Sequence, residues 1–89
     1  MTDLTEMLNI GKEMASKLKS VGISCAEALI EVGAREAFAR LKAQYPNVCL
    51  VHLYTLEGAI QNVEFNSLSE KTKASLKEFS DSLKKQRTE

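Results

Sequence analysis

Eighty-nine residues, 44% of them hydrophobic, enclose one modest core and leave no room for a second, so a small binding or structural module is expected rather than an elaborate enzyme. Twelve Lys plus Arg balance twelve Asp plus Glu, with six of each sign in each half. That balance excludes a broad field drawing the chain to nucleic acid or an anionic membrane, so any such contact has to be local.

The opening "MTDLTEML" lacks the basic stretch and apolar run of a signal peptide, and no segment approaches the roughly 20 apolar residues that span a bilayer. A cytoplasmic location without membrane contact is expected. The first helix starts after Thr2 or Asp3, both good N-caps, and ends near Leu8, barely two turns on. The second runs from about Gly11 to Ser20, with Ile10, Met14, Ala15, Leu18 and Val21 on one side and Lys12, Glu13, Ser16, Lys17 and Lys19 elsewhere. Gly22 supplies a left-handed stop. Ser24 and Glu27 have the form of a capping box, which places a third helix at about Ser24 to Val32, turning at Gly33. A fourth helix over Ala34 to Gln44 buries Ala37, Phe38 and Leu41 and cannot pass Pro46.

Val48 to Tyr54 is apolar and partly β-branched, the composition of a buried strand. Length decides for a helix: from Asn47 as N-cap, Leu50, Leu53, Leu56 or Glu57, and Ile60 recur at helical spacing over some fourteen residues, and a strand there would have no partner. This is the expected central helix, with Gly58 admitting a neighbouring helix at a cost of ~1 kcal/mol. Asn66 to Ser69 reads as a loop, and Ser69 caps a last helix through about Lys84 whose stripe is Thr72, Leu76, Phe79 and Leu83. Lys71, Lys73, Lys77, Lys84 and Lys85 form its solvated outside. The domain is expected over residues 1–85, with residues 86–89 fraying.

Chemistry-bearing residues are sparse. Cys25 and Cys49 form no C-x-x-C pair and His52 is the only histidine, so no disulfide scaffold, metal site or cofactor is expected. Cys25 reads as a small buried apolar side chain; a first-turn position could instead favour a thiolate. His52 reads as structural or merely exposed. Glu57 is the only acid inside an apolar helix, and a helix-end or hairpin-capping role suits it better than catalysis. With no paired carboxylates and no nucleophile beside a base, the chain is read as non-enzymatic.

The segment "LNIGKEMASKLKSVGI" has the form of a helix-hairpin-helix: two short helices, a tight turn ending in glycine, and a small residue four positions later. In such a hairpin the amides that open the second helix reach a nucleic-acid phosphate, because glycine has no side chain to hold it off. The usual turn is glycine, apolar, glycine; here it is Asn9, Ile10, Gly11. Asparagine tolerates left-handed angles, so the turn survives, although the approach is more crowded. Lys12 at the positive helix end is unfavourable unless an anion is near, which hints at phosphate, while Glu13 counts against it. Two readings stand: the hairpin serves packing, or Asn9, Ile10, Gly11, Lys12, Lys17 and Lys19 form a weak, backbone-directed DNA contact. "NIGKEMASKL" and "EVGAREAFARL" echo one another, each with apolar-Gly and then alanine at plus four, suggesting paired hairpins.

On "LNIGKEMASKLKSVGI", "EALIEVGAREAFARLK", "LVHLYTLEGAI" and "FNSLSEKTKASL" the chain resembles the C-terminal domain of TfoX-type competence regulators along nearly its whole length. The hairpin is also similar to the one in the C-terminal domain of the RNA polymerase alpha chain, which binds DNA and transcription factors. The resemblance implies an all-α, compact single domain of five to six short helices with helix-hairpin-helix-like elements, and participation in regulating DNA-uptake genes. Full-length members carry an additional N-terminal domain. Nothing precedes Met1 here, so a standalone copy is expected, and such a copy need not regulate competence. The resemblance assigns no binding residues. The competing function is a protein-interaction or self-association module in which exposed apolar residues of the central or last helix meet a partner.

Overall fold

The computed structural model describes residues 2–87, with side chains through Leu83. Among the described residues there are five α-helices, two 3-10 turns and no strand. A radius of gyration of 12.3 Å matches the ~12 Å of one compact body of this length. The helices are α1 (Lys12–Ser20), α2 (Ala26–Val32), α3 (Ala34–Gln44), α4 (Leu50–Gln61) and α5 (Glu70–Arg87); the 3-10 turns are Leu4–Glu6 and Phe65–Ser67. None of the described helices is long and apolar enough to cross a membrane.

The expected first helix is only the 3-10 turn Leu4–Glu6. Asp3 caps it, accepting the Thr5 amide at 3.0 Å, but a segment this short cannot offset the entropy of nucleating an α-helix. What holds it is Leu4, fully buried in the core. Helix α1 ends as the sequence indicates, on a Schellman motif. Gly22 takes φ 88°, the Ile23 amide donates to Leu18 O at 2.9 Å and the Gly22 amide to Lys19 O at 3.1 Å, satisfying carbonyls the helix leaves open.

Helix α2 starts later than expected, after Cys25, which makes no side-chain cap. The Ser24–Glu27 capping box does not form because Glu27 is taken by another partner. Its carboxylate accepts the Thr2 amide at 2.9 Å and the Thr2 hydroxyl at 2.9 Å, while the Ala26 amide donates to Thr2 O at 2.9 Å. The start of the chain thus caps α2 from outside. Those bonds hold the Glu27 carboxyl down at about 2, the Thr2 amide contributing most. Cys25 is buried, as its apolar reading requires.

Helix α3 occupies the expected residues and buries Ala37, Phe38 and Leu41, with Ala34 beside them. Helix α4 begins after Cys49 rather than Asn47. The Val48 amide donates to Tyr45 O at 3.0 Å, a turn beyond Pro46 that drives Val48 into the core, so the helix can open only past it. His52 has the structural role: its Nδ1 accepts the Cys49 amide at 3.0 Å. Ser69 caps α5, its Oγ accepting the Thr72 amide at 3.1 Å. Leu76 is buried, with Phe79 and Leu83 packed against the core. Lys71 and Lys77 are exposed. Lys73 is half-buried and bonds Asn66 O at 3.4 Å. The side chains of Lys84 and Lys85 lie outside the described residues, as do Thr88 and Glu89 of the expected tail.

Helix α3 packs on α2, α4 and α5, and α4 on α5. Phe38, Leu18, Ile23, Leu29, Leu41, Leu53, Leu56 and Leu76, from all five helices and the turn between α1 and α2, meet in one cluster. Each such side chain contributes about 1.5–3 kcal/mol on burial.

Candidate nucleic-acid interface

Residues 7–11 form the expected tight turn. The Ile10 amide donates to Met7 O at 3.2 Å, and Asn9 takes φ 74°, the left-handed position that Gly or Asn fills in such turns. Ile10 is buried and fixes the turn to the core. Gly11 is exposed, extended at φ −96°, and is the N-cap of α1 without any side-chain cap. A Cβ at Gly11 would meet nothing within 4 Å. The first α1 bond runs from the Ala15 amide to Gly11 O at 3.0 Å, so the amides of Lys12, Glu13 and Met14 precede the helical ladder, where the dipole favours an anion.

The six candidate residues do not form one surface. Lys12 and Lys19 line an open groove with Asp3, Thr5, Ala15 and Ser16. The Asp3 carboxyl there is held below its ordinary range, chiefly by the Thr5 amide and less by the nearby Lys19 charge. Lys17 is engaged elsewhere: its ammonium sits 5.5 Å from the centre of the Tyr45 ring and 3.9 Å from the Glu13 carboxylate. Glu13, the charge that argued against an anion, is thereby drawn along the helix toward Lys17. Asn9 turns inward, its Nδ2 donating to Val63 O at 2.9 Å.

That inward turn explains Gly58. A Cβ at Gly58 would lie 2.6 Å from Asn9 Nδ2, 2.7 Å from Val63 O and 3.2 Å from Phe65 Cα. The close approach is made by the Asn9 side chain and the chain after α4, not by a neighbouring helix as the sequence led us to expect. Sequence reasoning missed the Val63 carbonyl altogether, because its partner lies 54 residues away. The available signal was the conjunction of an asparagine where the turn usually has glycine with a glycine inside an apolar helix. Glu57 accepts a hydrogen bond from Gln61 Nε2, one turn on within α4, and caps no backbone group of the helix end, whose carbonyls are met by the chain that follows. Among the described residues no group of three or more His, Cys, Asp or Glu side chains is placed to hold a metal ion.

With five α-helices and no strand among the described residues, the chain is an all-helical domain; at this corner a left-handed turn, a buried Ile10 and the bare start of α1 follow a 3-10 turn rather than the first helix of a hairpin pair. The TfoX C-terminal domain model matches residues 1–80, and the chain belongs to that family. A crystal structure of an uncharacterized protein from Listeria monocytogenes, in a triclinic form, is 40% identical, with a TM-score of 0.90 over 93% of this chain and 94% of that one. A tetragonal crystal structure of a protein of unknown function from the same organism is 41% identical, with a TM-score of 0.87 over 91% and 99%. No curated protein matches the chain.

Proposed function

We propose that this domain is a non-enzymatic, transcription-linked binding module whose hairpin corner contacts the phosphate backbone of nucleic acid. Gly11 and the amides of Lys12 to Met14 face the phosphate, with Lys12 and Lys19 supplying charge. The observation that carries this reading is the open space at Gly11, on an exposed helix start that no side chain caps. Membership of a family tied to competence regulation supports it. Lys17 contributes packing against Tyr45 rather than charge to the contact, and Asn9 and Ile10 shape the turn from inside. Such a contact reads backbone, not sequence. With a zero net charge, affinity for a short duplex is weak and falls with salt with a log-log slope of about −2 to −3, the value for two or three phosphates. In a low-salt titration, Lys12→Glu lowers affinity severalfold and reduces that slope by about 1. No binding at high micromolar protein, or an unchanged Lys12→Glu variant, removes the reading.

A second reading is favoured by Val51 on α4, 51% exposed, and by Leu8 in the turn and Phe65 two residues past the Val63 carbonyl, each 39% exposed. A protein partner or second copy covering them would bury apolar area without using charge. Sedimentation over a range of concentrations, with a pull-down, separates the two readings: a monomer throughout that captures no protein partner and binds duplex leaves only the first.

A further inference from the structure

We propose that Asn9 is a positioning residue, clamping the hairpin to the end of α4 across Gly58 and so fixing the direction in which the Gly11 to Met14 amides point. Glycine would fill a left-handed turn position at no steric cost. Asparagine adds a donor, and here the donor is used at 2.9 Å on Val63 O. The acceptor is itself rigidly placed. Asn62 is left-handed at φ 61°, the Val63 amide donates to Gly58 O at 2.9 Å and the Asn62 amide to Ala59 O at 3.3 Å, a second Schellman stop. The side chain of one left-handed asparagine, just before a helix, thus bonds the carbonyl of the residue that follows a second left-handed asparagine, at the end of another helix. The clamp also occupies the volume that any side chain at position 58 would need, which accounts for an unfavourable glycine inside α4. The two ends of this contact lie 49 to 54 positions apart along the chain.

The effect of the clamp on affinity rests on the phosphate reading above; the clamp itself does not. Amide spectra of the full chain, free and with a short duplex at low salt, separate the two. In the free protein, Gly58→Ala shifts the amides of Gly11 to Met14, and Asn9→Gly shifts those amides together with Val63 to Phe65. Asn9→Gly keeps the turn's allowed geometry, so it reports even if Gly58→Ala disturbs folding. Each variant binds duplex about fivefold more weakly, the scale set by one lost hydrogen bond. If the shifts cross and the unaltered protein binds no duplex, the clamp stands and the phosphate reading falls. Shifts that stay on the mutated side, or duplex affinity unchanged in variants whose hairpin amides have moved, overturn the proposal.

Discussion

At Gly33 the chain passes from α2 to α3 through one residue with φ 90° and ψ 156°, whereas Gly11 has φ −96° and leaves the left-handed step to Asn9, two positions earlier. Downstream the two are alike. Each glycine carbonyl accepts the amide of the alanine four residues on, at 3.0 Å for Ala15 and 3.1 Å for Ala37, and both alanines are buried. The shared pattern in the sequence therefore records how a helix begins and packs. It does not record the turn that delivers the chain to that helix, so the echo marks two helix starts rather than two equivalent hairpins. Of the two, the corner at Gly11 is the one that leaves an exposed helix start with Lys12 and Lys19 lining the groove beside it.

Substituting the two glycines sharpens the contrast. Gly33→Ala forces a side chain into a backbone region that is essentially glycine-only, and should destabilise the fold by about 1–3 kcal/mol in chemical denaturation. Gly11→Ala, in open space with ordinary angles, should cost no more than about 1 kcal/mol, the preference for glycine over alanine at an N-cap, while weakening duplex binding, since the added methyl stands where phosphate would approach. A Gly33→Ala variant as stable as the parent would break the comparison, as would a Gly11→Ala variant that unfolds. The smallest effect should come from the tie that joins the regions ahead of the two glycines, Thr2 to Glu27. Glu27 has its folded pKa lowered from 4.5 to about 2, so its contribution is complete above about 4.5 and disappears as pH falls from there to about 2. The Glu27→Gln variant should lose that contribution to the acid dependence in pH-jump denaturation, while Asp3, also held low, retains its own.

What the sequence disclosed follows from which forces act locally. Helix α3, with its buried Ala37, Phe38 and Leu41, the Gly22 stop and the Ser69 cap are set within a few residues of one another, and periodicity and capping chemistry reach that far. The Ser24–Glu27 box looked equally local, but Thr2, 25 residues away, competes for the same carboxylate and wins it. Helix α4 slipped its start by two residues for a comparable reason, the turn that seats Val48 in the core. In the candidate site, the turn itself was legible from Asn9-Ile10-Gly11. The inward role of Asn9 and the diversion of Lys17 to Tyr45 were not, because both depend on surfaces that only the folded chain brings together.

The two cysteines stand on opposite sides of this divide between inside and outside. Cys49 is exposed at the opening of α4, and Cys25 is buried where the chain crosses into α2. A soluble alkylating reagent therefore meets one sulfur in the intact molecule and the second only after the core opens. The native chain thus carries its own unfolding counter, with a stoichiometry that steps from one to two as the packed interior gives way.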